Sequence, residues 1–184
     1  MDQHLETLLS GLSSGDGMAK KRVRETLILV GDPAVPGLQA LLAGFDKGLR
    51  WEAAKALGAV IDPGSVDTFL ELLDDPSSDL RWLAATGLIE LGPRSVRPVL
   101  QSLTDPSVPR GHLEMSHRVL GGLATGNGVL ADVVGPVVEM LGRNDRGVIA
   151  ATAARALSDL DRATGRPPDP DAAPATTGET APPG

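Results

Sequence analysis

The sequence contains no cysteine and no tyrosine, and it has only two phenylalanines and two tryptophans. Without cysteine the chain can form no disulfide, no thiolate nucleophile and no thiolate metal site, which fits a reducing compartment. With so few aromatic rings, the core must be built from leucine, valine and alanine, a composition typical of closely packed helices. Lysine is also scarce, with four residues against 13 arginines, which is typical of GC-rich bacterial genes.

The sequence also lacks long apolar runs and any excess of positive charge. The formal net charge is −7 at pH 7, and residues 1–161 carry 21 acidic and 15 basic side chains. A surface of this sign repels phosphate backbones, which disfavours nucleic acid as a partner. Neither a signal peptide nor a membrane-spanning segment is visible, so we expect a cytoplasmic protein with no membrane partner.

The most informative feature of the chain is an internal repeat. The segment LRWEAAKAL at residues 49–57 returns as LRWLAATGL at residues 80–88, a shift of 31 residues. The apolar residues that follow each copy match at a shift of 30, so that Val66, Phe69 and Leu73 correspond to Val96, Val99 and Leu103. A period of about 20 to 50 residues indicates a stacked array of supersecondary units.

Apolar residues at helical spacing divide each unit into a helix A and a helix B, separated by turns rich in Gly, Asp and Pro. The pattern predicts an all-α array over residues 1–161, with a capping helix, four A/B pairs and a final A helix, about nine to ten helices. The clearest predicted spans are 2–12 for the cap, 18–30, 48–60, 79–91 and 147–160 for A helices, and 65–73 and 95–103 for B helices. Residues 162–184 are rich in Pro, Ala and Thr and are predicted to form a disordered tail.

Two motifs recur in these units: Leu-Arg-x-x-Ala-Ala-x-Ala-Leu-Gly in helix A, then Asp-Pro-x-x-Val and Leu-x-x-Leu-Leu leading into helix B. Over about residues 18–160 they resemble the short HEAT-like repeats of phycobilisome lyase subunits. The resemblance implies a right-handed α-solenoid, a superhelix of antiparallel helix pairs with the B helices on the concave side. It implies little about activity, because one fold hosts many functions.

The first candidate binding site is a row of outward positions on the B helices. Asp67 and Glu71 point away from the apolar stripe of their helix, and Gln101 and Glu139 are the repeat equivalents of Glu71. We count Arg97 of the third B helix with this row. The lining favours a protein or peptide partner that is neutral or basic, and the alternative is a merely solvated face.

Trp51 and Trp82 occupy the same position in consecutive A helices. They lie about 200° around the helix from the leucine two residues earlier, so they do not belong to the central apolar stripe. Matching tryptophans could form a ladder that anchors a partner. They could equally cover the seam between adjacent A helices.

The irregular fourth repeat holds a second candidate site, formed by Arg110, His112, His117 and Arg118. These residues are the only candidate acid or base cluster, and they would serve an accessory or lyase-like tailoring enzyme. His112 and His117 lie about 140° apart on a helix, so one face cannot present both to a metal ion. We therefore predict no metal site and no cofactor.

The sequence thus favours a non-catalytic scaffold or adaptor that binds a protein or peptide partner along the concave B face. The alternative is the tailoring enzyme, and a third class is the DNA glycosylases that are built from HEAT-like repeats. Those enzymes need a basic concave face, whereas the dense basic cluster of this chain, residues 20–24, lies on an A helix at one end. The open B face beyond the final A helix also permits self-association.

Overall fold

The computed structural model describes residues 3–126, 128–143 and 145–165, and these ranges hold ten α-helices and no strand. The helices are α1 (Gln3–Gly11), α2 (Gly17–Val30), α3 (Val35–Leu42), α4 (Lys47–Val60), α5 (Val66–Leu72), α6 (Ser78–Glu90), α7 (Val96–Ser102), α8 (Arg110–Ala124), α9 (Gly128–Arg143) and α10 (Arg146–Thr164). The all-α helical array predicted from the sequence is confirmed. None of these helices combines the length and the apolarity needed to cross a bilayer. The segment 166–184, for which a disordered tail was predicted, lies outside the described residues.

The turn from helix A to helix B has the same form in the first three repeats. Gly31, Ile61 and Gly92 hold equivalent left-handed positions, with φ of 72°, 58° and 73°. Each lies at or just before the start of a proline-containing 3₁₀ turn: Asp32–Ala34, Pro63–Ser65 and Gly92–Ser95. Isoleucine at such a position costs about 1–2 kcal/mol because its Cβ crowds the following carbonyl. The chain therefore reverses at a fixed point in each repeat, and the second repeat does so with strain.

Small residues bring the A helices into close contact. Helices α2, α4, α6 and α8 stack in that order, and Ala53, Ala56 and Ala84 are fully or almost fully buried where they meet the core. The ring of Phe69, itself 1% exposed, fills the space beside Gly87. A Cβ added at Gly87 would lie 2.7–2.9 Å from three atoms of that ring. The glycine is therefore required by packing.

The fourth repeat departs from the predicted order. Helix α10 packs on α7 and α9 and makes little contact with α8. It therefore occupies the place beside α7 that the sequence pattern assigned to α9, and it does not extend the row of A helices. A mostly buried ion pair between Arg97 and Asp161 joins α7 to α10 at this point. Helix α9 has 16 residues, against seven or eight for α3, α5 and α7, and packs against α8 and α10.

The ring of Phe69 lies near Gly87 of α6 and Gly58 of α4, and its distances from them predict opposite effects for alanine substitutions at the two positions. Gly87→Ala should lower the free energy of unfolding by about 1–3 kcal/mol, because the ring of Phe69 must move. Gly58→Ala should raise it by up to about 1 kcal/mol, because alanine favours the helix and the new Cβ would meet its nearest neighbours at 3.8 and 3.9 Å, ordinary contact distances. Urea unfolding followed by far-UV circular dichroism measures both, and effects of the same sign would contradict this packing.

Candidate functional site

A polar groove opens between α3 and α5. Both helices are short, with eight and seven residues, and they make little contact with each other. A hydrogen bond of 2.9 Å from the side-chain amide of Gln39 to the hydroxyl of Thr68 bridges them. The space has a volume of about 380 Å³ and is lined by Gln39, Leu42, Ala43, Arg50, Thr68, Glu71, Leu72 and Asp75.

Most polar groups of this groove already have partners. Arg50 and Asp75 form an ion pair, with 17% and 4% of their side chains exposed. The Nε of Arg50 also donates to the carbonyl of Leu42 at 2.8 Å. Glu71 is exposed and forms no ion pair with any residue that the structure describes. Glu71 therefore supplies the uncompensated charge of the groove.

The other residues of the predicted B row are dispersed. Asp67 is exposed one turn before Glu71 on α5, and Gln101 is exposed at the end of α7. Arg97 is held by Asp161 in the ion pair to α10. Glu139 lies on α9, where Arg143 binds it at 2.6 Å. Because α10 takes the place beside α7, the row does not continue from Gln101 to Glu139.

The two tryptophans are partly exposed, Trp51 by 37% and Trp82 by 48%. The Nζ of Lys55, on the same helix, lies 4.3 Å from the ring centroid of Trp51. The guanidinium carbon of Arg118, on α8, lies 4.8 Å from the ring centroid of Trp82 on α6. Each indole thus carries a cation, and the second pair crosses the seam between two A helices.

The predicted acid and base cluster of the fourth repeat does not converge. Arg110 binds Glu114 at 2.8 Å on the exposed side of α8, whereas His117 and Arg118 are exposed elsewhere on that helix. His112 alone is buried, with 3% of its surface exposed.

His112 instead joins a chain of polar groups that sequence reasoning missed. Its Nδ1 lies 3.0 Å from the carboxylate of Asp74, and its Nε2 lies 2.8 Å from the hydroxyl of Ser102. Asp74 follows α5 and Ser102 ends α7, so the three residues come from three elements. No local spacing in the sequence could have linked them.

An Asp-His-Ser chain can move a proton, but its surroundings here are tight. The hydroxyl of Ser102 also bonds the carbonyl of Val99 at 2.9 Å. Leu103 and Leu113, which adjoin Ser102 and His112 in sequence, line a cavity of about 10 Å³, room for about one water molecule. Within the described ranges, no group of three His, Cys, Asp or Glu residues could hold a metal ion.

Asp105 is the repeat equivalent of Asp75 but has a different environment. Hydrogen bonds from the hydroxyl and the amide of Ser107 lower the pKa of Asp105 below its ordinary value. The carboxylate is therefore ionised at neutral pH and closes the loop before α8, where it adds to the acidic character of the surface.

The comparisons with known proteins agree with this architecture. Residues 35–116 match the family model of HEAT repeats. The solved complex of CpcE and CpcF of phycocyanin lyase from Nostoc sp. PCC7120 contains a similar chain, with a TM-score of 0.57 and 21% sequence identity. The likeness covers 83% of this chain and 96% of that chain. No curated protein matches the sequence.

At 21% identity this likeness concerns the fold. Together with the match of residues 35–116 to HEAT repeats, it confirms the HEAT-like helical fold that the repeat motifs indicated. Residues 35–116 thus carry HEAT repeats, and the chain has the helical fold that is also found in the phycocyanin lyase complex.

Proposed function

We propose that this protein is a scaffold that binds a neutral or basic polypeptide segment in the groove between α3 and α5. The observation that carries the proposal is the open groove of about 380 Å³ with Glu71 as its uncompensated charge. A volume of this size accommodates one or a few side chains of a partner.

The lining of the groove fits the chemistry of a lysine or arginine side chain. Leu42 and Leu72, which are 4% and 7% exposed, form an apolar wall of the groove. The aliphatic stem of the partner's lysine or arginine can pack against this wall. Arg50 and Asp75 neutralise each other, so that the carboxylate of Glu71 is left to attract the cationic head. A partner with acidic side chains would meet Glu71 and Asp67 with like charge.

The similar fold in the phycocyanin lyase complex supports partner binding as a use of this architecture. In that structure the similar chain belongs to a complex of two proteins, CpcE and CpcF. A solenoid of short helix pairs offers a long surface for its volume, which suits binding to another chain.

A charge reversal at the groove tests the proposal. Glu71→Lys should weaken the complex with a partner isolated from the source cell by about tenfold or more, because like charges would face each other in the groove. Glu139→Lys is the matched control, since it makes the same change at an exposed helical position away from the groove. Isothermal titration measures both affinities, and thermal melting verifies that both variants fold.

Affinities of both variants that equal the affinity of the original chain for that partner would contradict the groove as the binding site. Equal losses in both variants would do so as well, because they would report the net charge of the protein and not the position of Glu71.

A second function, an enzyme of the tailoring type, is favoured by one observation, the chain of Asp74, His112 and Ser102. In nucleophilic catalysis a carboxylate orients the imidazole, which then activates the hydroxyl. The buried position of His112 and the small adjoining cavity argue for a structural role. The same contacts tie the ends of α5 and α7 to the first turn of α8.

Covalent labelling distinguishes these roles. An activated Ser102 should react with a fluorophosphonate probe, and the labelling should disappear in Ser102→Ala and in His112→Gln. Mass spectrometry of the labelled, folded protein locates the adduct. The scaffold proposal predicts no adduct at Ser102, and a stoichiometric adduct there would favour the enzyme.

A further inference from the structure

The stacked A helices carry charge of the opposite sign to the protein as a whole. Helices α2, α4, α6 and α8 together hold ten basic and five acidic residues, although the formal net charge of the chain is −7. Two of the ten cations are neutralised by carboxylates outside their own helix: Arg24 by Glu52 and Arg50 by Asp75. The face formed by the A helices is therefore the basic side of the molecule.

Six of the ten cations form no ion pair with a carboxylate among the described residues, and two of these six lie over indole rings. These two are Lys55, over the ring of Trp51, and Arg118, over the ring of Trp82. We call these two arrangements the indole–cation pairs. Stacking on the ring orients each cation while leaving its charge uncompensated, so that an anion can approach it from solvent.

We propose that the indole–cation pairs form a second binding surface, which takes an extended acidic segment of a polypeptide partner. Carboxylates of the segment bind Lys55 and Arg118, and its apolar atoms contact the exposed parts of Trp51 and Trp82. Tryptophan and arginine are among the residues that are enriched where protein partners bind most strongly. This surface is made by α4, α6 and α8, so it does not depend on the groove between α3 and α5.

The repeat geometry sets the spacing of the carboxylates. Trp51 and Trp82 hold equivalent positions on α4 and α6, which pack directly against each other. Axes of packed helices lie about 8–10 Å apart, and an extended chain advances about 3.3 Å per residue. Because the cations lie only 4.3 and 4.8 Å from the centroids of these rings, a segment that crosses both rings should place an acidic residue at about every third position.

A polypeptide fits these observations better than a single-stranded nucleic acid. Bases stack on open aromatic faces, whereas each indole here has a cation over one face. The net charge of −7 also opposes the approach of a densely charged phosphate chain. Isolated carboxylates on a polypeptide need only the local positive charge of the A helices.

The absence of tyrosine and the presence of two tryptophans make a direct measurement available, because intrinsic fluorescence reports only these two indoles. The full chain is titrated at low ionic strength with a synthetic peptide that has glutamate at every third position. Binding should change the tryptophan emission. The double variant Lys55→Gln with Arg118→Gln should bind the peptide about tenfold more weakly, as expected for two surface contacts of this kind.

The matched control is the double variant Arg94→Gln with Arg155→Gln, which removes the same charge at exposed positions away from the indoles. It should bind the peptide within about twofold of the original chain, since only distant charges change. Equal weakening in both double variants would overturn the proposal, as would an unchanged emission on peptide addition. Tighter binding of oligo-dT than of the peptide would overturn it in favour of a nucleic acid.

Discussion

The ion pair between Arg50 and Asp75 joins three consecutive repeats, and the shape of the groove depends on it. Arg50 lies in the first turn of α4, and its Nε also donates a hydrogen bond to the carbonyl of Leu42 at the end of α3. Asp75 follows α5, and its own carbonyl accepts a hydrogen bond from Arg81 of α6 at 2.7 Å. Because both side chains are largely buried, removal of either would leave an uncompensated charge in the junction. The pair therefore sets how far α3 and α5 stand apart.

The distribution of charge follows from the same architecture. The A helices stack through alanine and glycine, so their long side chains are left on the outer side, where basic residues predominate. The short helices α3 and α5, which border the groove, carry only acidic or neutral residues, and the loops between repeats are rich in aspartate. A thin solenoid keeps these two sides apart. Under the two proposals, the groove at Glu71 and the indole–cation pairs would take partner segments of different charge.

The repeat period predicted the helices closely, because each apolar stripe is a local property of the sequence. The place of α10 could not be predicted in this way, since a stripe shows that a helix is buried but not which neighbour buries it. The ion pair of Arg97 and Asp161 joins residues 64 positions apart, and neither residue signals the other. For the same reason His112 was grouped with His117 by sequence, whereas folding places it between Asp74 and Ser102.

The role of the ion pair between Arg50 and Asp75 is tested most directly by a double-mutant cycle. The two substitutions are Arg50→Met and Asp75→Asn, and urea unfolding is the readout. Asparagine preserves the oxygen that accepts the amide of Ser77 at 2.8 Å, so the cycle isolates the ion pair. A coupling free energy of about 1–3 kcal/mol is expected if the pair holds the three repeats together. Additive effects, within about 0.5 kcal/mol, would contradict this role.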